Sequence, residues 1–342
     1  MLEELDAFEA EEPESRPRKR HRTRNTWLAI LGGLLAVVVA VVAVGWFLMH
    51  SKIQQIERIE NAFPEETTRP TQHVNDDGKS GINFLLVGTD SRDETAPESL
   101  LEGIGDRSDT IMVVHIPADR SGIQVMSIMR DSWVEIPGHG MGKVNAALAY
   151  GGMPLLVQTV EGILDSRIDH VAVIGFEGFK SMTEALGGVT VNNPEAFSGK
   201  NYEFPAGEIT LEGNEALEYV RTRKAFSDGD YSRVANQQRF MKALLSTSLS
   251  RGTLSNPGRV LDLADAVTNH LATDSGVDQG FILGLAPELS GLKGSDVTTF
   301  TMPTYGTGME GGQSVVYLDT DRLPELRKAF KEDTLAEFAA KV

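Results

Sequence analysis

The chain has 342 residues, 41% of them apolar and 24% charged, and it contains no cysteine. That length suits one or two domains. The composition excludes a wholly disordered, collagen-like or disulfide-scaffold protein, and with them thiolate metal sites and cysteine nucleophiles. A formal net charge of −17 and a pI near 4.9 argue against a nucleic-acid binder, which presents a basic face.

The first element in chain order is Trp27–Met49, 23 residues without a charge. At about 1.5 Å per residue it reaches about 34 Å, enough to cross a hydrocarbon core of about 30 Å. It exceeds the apolar region of a cleaved signal peptide, about 7–15 residues, so an uncleaved anchor is expected. Six Lys and Arg lie just before it in RPRKRHRTR (Arg16–Arg24), against Lys52 and Arg58 just after it. The positive-inside rule then places the N-terminus in the cytoplasm and the remainder outside a cell membrane crossed once. The expected organisation is a cytoplasmic tail (1–26), an anchor (27–49), a juxtamembrane segment and linker (50–81), a catalytic domain (82–333) and a C-terminal tail (334–342). Within the third of these, Ile53–Phe63 reads as a helical continuation from the membrane, and residues 64–81 as a polar, breaker-rich linker.

Three apolar runs follow: Ile82–Val87, Thr110–Ile116 and Gly122–Met129. Each reads as a buried strand. The short PADRS link makes the second and third antiparallel neighbours, and an antiparallel return is the simplest path from the first to the second. That topology gathers Asp90, Arg107, Asp109, Arg130 and Asp131 on one rim of a sheet. Carboxylates and guanidiniums meeting there suit a phosphate-plus-metal site, and equally a solvated sheet end with ion pairs.

Helices are expected at Val144–Tyr150 and Met153–Leu164, broken by Gly151-Gly152, and at Phe176–Leu186, ended by Gly187-Gly188. A strand falls at His170–Ile174 and another at Val189–Val191. Further helices are expected at Glu215–Val220, Gln237–Leu245 and Pro324–Phe330, and strands at Val297–Met302 and Ser314–Leu318. Strands mixed with helices, without a sharp boundary, predict a single-domain α/β sandwich with a mixed central sheet. The glycines of GHGMGK (138–143) read as a flexible turn presenting Lys143.

Arg221 and Arg223 stand at i and i+2. They share a face in extended chain and not on a helix, so the helix must end near Val220 if both meet one ligand. Arginine suits phosphate through its planar fork of donors. Asp230, Arg233 and Gln237 follow. A charged loop before a helix capped near Asp230 explains the same spacing. GxxxxGK[ST], HExxH and GxSxG are all absent, which excludes the common NTPase, zinc-protease and nucleophile-elbow chemistries.

Five ordered blocks carry a resemblance: NFLLVGTDSRD (83–93), RSDTIMVVHI (107–116), SIMRDSWVEIP (127–137), KVNAALAYGG (143–152) and ALEYVRTR…DYSRVANQQRF (216–240). They resemble the LytR–CpsA–Psr family, covering roughly residues 80–245 behind the family's single N-terminal anchor. The resemblance implies an αβα sandwich enclosing an apolar tunnel for a polyprenyl chain, which the helices at 153–164 and 176–186 could line. It implies an Mg²⁺-dependent phosphotransferase that moves a glycopolymer from a polyprenyl-pyrophosphate carrier to peptidoglycan at the outer membrane surface, with no nucleic-acid partner. It makes Asp90 and Asp109 the metal ligands. Arg107, Arg130, Lys143, Arg221 and Arg223 would surround the pyrophosphate, with Asp230, Arg233 and Gln237 closing the site. In that assignment Arg107, Arg130, Arg221, Arg223, Asp230 and Arg233 are catalytic; Lys143 and Gln237 bind substrate. Two positions depart from the family's pattern: Met129 replaces the usual proline, and Asn236 stands where a cation is common, so one rim charge is missing. A carrier hydrolase, or a membrane-anchored lipid- or glycan-binding regulator without turnover, are the competing readings.

Overall fold

A computed structural model describes residues 56–75, 77–89, 108–223 and 230–342, with the backbone alone at Ser108, Asp109, Asp230, Leu254 and Pro257. All belong to one unit, Lys52–Val342. The expected anchor at Trp27–Met49, Asp90 and Arg107 lie outside the described residues.

In chain order the strands are β1 (Glu57–Arg58), β2 (Ile82–Thr89), β3 (Ser108–Ile116), β4 (Ile123–Ile128), β5 (Ser132–Ile136) and β6 (Gly140–Lys143), before helix α1 (Ala146–Leu164). Next come β7 (His170–Ile174), α2 (Phe176–Ala185), β8 (Val189–Asn193), β9 (Phe197–Ser198), β10 (Glu203–Phe204) and β11 (Gly207–Leu211). The helices α3 (Gly213–Arg221), α4 (Asp230–Ser248), α5 (Arg251–Leu254) and α6 (Pro257–His270) precede β12 (Leu271–Thr273) and α7 (Gln279–Leu289). Strands β13 (Val297–Thr301), β14 (Thr304–Glu310) and β15 (Gln313–Leu318) then lead to α8 (Leu323–Lys331) and α9 (Leu335–Ala339).

The central sheet has seven strands in the order β1-β12-β7-β2-β3-β4-β13. It is mixed: β2 pairs antiparallel with β3, and β3 with β4, as expected, whereas β7 runs parallel to β2 and β13 parallel to β4. Strands β3 and β4 are buried on both faces, which explains their unbroken apolar runs. On one face Leu85, Val87, Ile111, Val113, Met126 and Ile128 pack against α1, α8 and α9, and on the other Met112, Val114 and Val125 pack toward Met241 and Leu245 of α4 and Leu285 and Leu289 of α7. The result is helix, sheet, helix: a mixed α/β fold of the expected class.

The glycine break in the 146–164 segment is present. Gly151 (φ −145°, ψ 19°) and Gly152 (φ 65°, ψ −159°) leave helical geometry, the second in a region almost confined to glycine. Pro154 then sits in the first turn of the restarted helix, where its missing N–H costs nothing. Among the described residues, α1 is the helix long and apolar enough to cross a membrane, and it is a core helix, with Leu156, Val157, Val160 and Leu164 all at 0% exposure.

Four expectations are corrected. Glu57–Arg58 is a strand and not helix, because it pairs parallel with β12 and Arg58 Nη1 donates to Thr273 Oγ1 and to the carbonyls of Asp274 and Val277. The stretch 64–81 is docked at Arg69, whose side chain is 4% exposed, stacks over Phe63 and pairs with buried Glu161 of α1 at 2.7 Å. The C-terminal tail is core: α9 buries Leu335 and Phe338. GHGMGK is a hairpin: Gly138 and Gly140 take positive φ in the turn, and 140–143 pairs antiparallel with β5. That hairpin belongs to a second sheet, ordered β14-β15-β5-β6.

Candidate functional site

The C-terminal rim of β2 and the start of β3 carry a local irregularity. Gly88 faces Thr110 but Thr89 faces Ser108, so Asp109 is the extra residue of a β-bulge. Such bulges recur beside active sites, where the ladder must end or turn. Thr89 is fully buried there, and its hydroxyl has no hydrogen-bond partner among the described residues.

Arg130 lies two residues past the end of β4, in the tight turn closed by the Ser132 N–H to the Met129 carbonyl. Its Nε lies 3.7 Å from Asp131 Oδ2, and Lys143 Nζ lies 2.9 Å from Asp131 Oδ1. The pairing of Trp133 with Lys143 in the β5–β6 hairpin brings that lysine back beside the rim. Asp131 therefore holds two of the predicted cations together.

Helix α3 ends at Arg221. Thr222 turns extended (φ −65°, ψ 125°), and its N–H and hydroxyl both donate to the Glu218 carbonyl, closing the helix C-terminus. The chain leaves helical geometry between the two arginines, as a shared ligand requires. The Arg221 guanidinium carbon sits 4.1 Å from the Phe176 ring centroid.

Helix α4 begins at Asp230, seven residues earlier than periodicity suggests. Arg233 and Gln237 are one turn apart on it and share a face. Arg233 is 3% exposed. Gln237 Nε2 donates to Thr110 Oγ1 (3.2 Å) and to the Val220 carbonyl (3.3 Å), tying α4 to β3 and to the end of α3. Gln238 Nε2 donates to Ser127 Oγ and Thr301 Oγ1, which locks the same helix over β4 and β13.

These elements surround one cavity of about 720 Å³, within the range of small-molecule sites. Its interior is apolar: Phe84, Leu86 and Met112 from the sheet, Phe179 and Met182 from α2, and Phe240 from α4 contribute to it. Arg130, Arg221, Arg223, Arg233, Gln237, Thr89 and Thr110 also line it. Five predicted site residues are thus brought together. Lys143 joins them through Asp131. Asp109 and Asp230 are placed by backbone at the bulge and the first residue of α4.

Two details differ from expectation. The 153–164 helix does not line this cavity; it packs on the opposite face of the sheet, in the main core, because its apolar residues meet Leu85, Val113 and Ile128. Residues of α2 do line it. Asn236, at the position where the family's pattern often has a cation, is 2% exposed and accepts a hydrogen bond from Arg239 Nη1. Met129 is also buried, against Val234 and Val316. Sequence reasoning missed the partner hydroxyls of Thr89 and Thr110, and Phe176. The signal for the aromatic was its place directly after a strand and Gly175, where a chain turns into a helix at a sheet rim.

Residues 47–332 match the family model described as the LytR_cpsA_psr family. The chain is 32% identical over 304 residues to the polyisoprenyl-teichoic acid–peptidoglycan teichoic acid transferase TagU of Oceanobacillus iheyensis, covering 86% of this chain and 90% of that protein. It is 35% identical over 304 residues to the cell wall biosynthesis protein LcpA of Corynebacterium glutamicum, covering 76% of this chain and 56% of that protein. A solved structure of TagT bound to LIIa-WTA aligns with a TM-score of 0.62 at 27% identity, over 80% of this chain and 98% of that one. The match spans the central sheet, the arginine rim and the cavity alike, and the protein belongs to the LytR–CpsA–Psr family.

Proposed function

We propose that the protein transfers a glycopolymer from a polyprenyl-pyrophosphate carrier to peptidoglycan, leaving a phosphodiester link. The observation that carries this reading is the cavity: an apolar interior of about 720 Å³ lined at its polar end by four arginines. An amphiphile with a long hydrocarbon chain and a polyanionic head matches both parts. The surrounding domain is acidic, net −16 over residues 50–342, so an anion is held only where cations converge. The likeness to TagU, a polyisoprenyl-teichoic acid–peptidoglycan teichoic acid transferase, and to TagT bound to LIIa-WTA supports the substrate class.

In this mechanism Arg130, Arg221, Arg223 and Arg233, with Arg107, neutralise the pyrophosphate oxygens, and Lys143 adds a point charge. A sugar hydroxyl of peptidoglycan attacks the phosphorus that bears the glycan. The bond from that phosphorus to the bridging oxygen breaks, and polyprenyl phosphate departs with the electron pair. Asp230 takes the hydroxyl proton. Positioning and charge neutralisation supply most of such catalysis. The carboxylates of Asp90 and Asp109 would hold Mg²⁺, a hard cation that prefers oxygen ligands, and the orphan hydroxyl of Thr89, next to Asp90 in sequence, is a further oxygen of that kind. When bound, the ion would supply further neutralisation of the pyrophosphate. Trp27–Met49 would anchor the chain beside its lipid substrate and raise the local concentration of both.

The test uses the full chain in detergent with a labelled polyprenyl-pyrophosphate glycan and peptidoglycan, with and without chelator. Metal-dependent label on peptidoglycan, lost in Arg221→Ala, is expected. Label released only as free phosphoglycan in the presence of acceptor would make the protein a hydrolase. Tight carrier binding without product would make it a regulator.

A further inference from the structure

Phe176 belongs to both halves of the cavity. It opens α2 immediately after Gly175, whose extended backbone (φ −89°, ψ 174°) turns the chain from β7 into the helix. Its ring lines the cavity together with Phe179 and Met182. The Arg221 guanidinium carbon lies 4.1 Å from its centroid, inside the range of about 6 Å for cation–π attraction. Arg221 is exposed at the end of its helix, and an exposed arginine has many rotamers to lose before it can bind an anion. A flat aromatic face removes part of that freedom in advance by holding the planar guanidinium against the ring.

We infer that Phe176 is a positioning residue for Arg221, helping to hold its guanidinium at the mouth of the cavity in the orientation that meets a pyrophosphate. The inference rests on the anion-clamp reading of Arg221 given above. Its second consequence is specificity: the ring that aims the cation also forms cavity wall, so a carrier whose hydrocarbon chain displaces the ring also disturbs the clamp.

The experiment titrates inorganic pyrophosphate into the full chain in detergent, followed by calorimetry, and then measures kcat and KM for transfer. This probe carries no hydrocarbon, so a residue acting only as apolar wall leaves its binding unchanged. Phe176→Leu is expected to weaken pyrophosphate binding about threefold to fivefold, the size of an exposed cation–π contact. Phe176→Tyr is expected to stay within about twofold of the parent, since the aromatic face is kept. In the Arg221→Ala background, Phe176→Leu is expected to cost nothing further. Transfer by Phe176→Leu should lose kcat with little change in KM. A thermal melt confirms folding, and Phe176→Met replaces the leucine variant if that one unfolds. Pyrophosphate affinity retained in Phe176→Leu but lost in Arg221→Ala would overturn the positioning role and leave the clamp standing. Affinity retained in Arg221→Ala would overturn the clamp itself. A rise in KM that grows with carrier chain length, at constant kcat, would reduce Phe176 to a wall.

Discussion

Lys143 Nζ lies 2.9 Å from Asp131 Oδ1, and both side chains are 22% exposed. One carboxylate thus offsets part of the positive rim that a pyrophosphate would meet. Asp131→Asn keeps the shape and removes the competing charge. Inorganic pyrophosphate should then bind roughly fivefold more tightly, the scale of a partly exposed ion pair. Calorimetric titration at two salt concentrations checks it, with the gain smaller at high salt. Unchanged or weaker binding would mean that Asp131 orients the lysine more than it neutralises it.

Gln237 holds two elements with one amide. Gln237→Ala releases Thr110 and the Val220 carbonyl together, next to Arg221. The expected result is a fall in kcat of about tenfold, which is about 1.4 kcal/mol in the barrier. The melting temperature should drop by only a few degrees, because a net hydrogen bond contributes about 1 kcal/mol. Gln237→Glu should do worse, since it removes the donor and sets a carboxylate against a carbonyl. Full activity in either variant contradicts the bracket.

The Arg69–Glu161 pair is a stability prediction. Glu161 is 1% exposed and also accepts from the Ile168 N–H. Glu161→Ala strands a buried guanidinium and should destabilise the domain by about 3–5 kcal/mol in denaturant unfolding. Replacing both partners, Arg69→Met with Glu161→Leu, should recover most of that loss. Equal losses in the single and double variants would show that the pair itself, and not the stranded charge, carries the stability.

Asp333 gives a pH prediction. Burial pushes its carboxyl up, but contact with His115 (Nε2 at 3.0 Å), the Ala118 N–H and the charges of His115 and His73 outweigh this and hold it below its ordinary range. A carboxyl lowered on folding stabilises above its unfolded value, about 3.9, and that contribution is lost as pH falls through the lowered value. Asp333→Asn should therefore cost about 1 kcal/mol at pH 7, a cost that shrinks as pH falls through the lowered value. Melting curves from pH 7 down to pH 2.5 test it; parallel curves for parent and variant would rule out the linkage.

The central strands were legible because each is a short apolar run closed by a turn, and the antiparallel hairpins followed from short links. Gly151-Gly152 announced its break through the one residue type that tolerates that backbone. The β5–β6 hairpin was not legible, since a strand of Gly140, Met141, Gly142 and Lys143 has too few side chains to show alternation. Nor was β1, a two-residue strand whose place depends on β12 more than 200 residues away. At the site, the charged residues stood out by type and spacing. Phe176, Thr89 and Thr110 did not, because an aromatic or hydroxyl side chain gains its role there only from what the fold sets beside it. The side of the sheet that the 153–164 helix covers was not legible for the same reason: its apolar pattern says that it is buried, and not against which face.

The extra residue at Asp109 divides β3 into two stretches under different rules. From 111 to 116 every position is buried on one face or the other, and a slip of one place would turn the whole strand inside out. Across the bulge that bookkeeping is suspended, so the rim can exchange one polar residue for another without renegotiating the register of the sheet. A lineage can in this way retune what its members handle at the cavity mouth while inheriting the same interior unchanged.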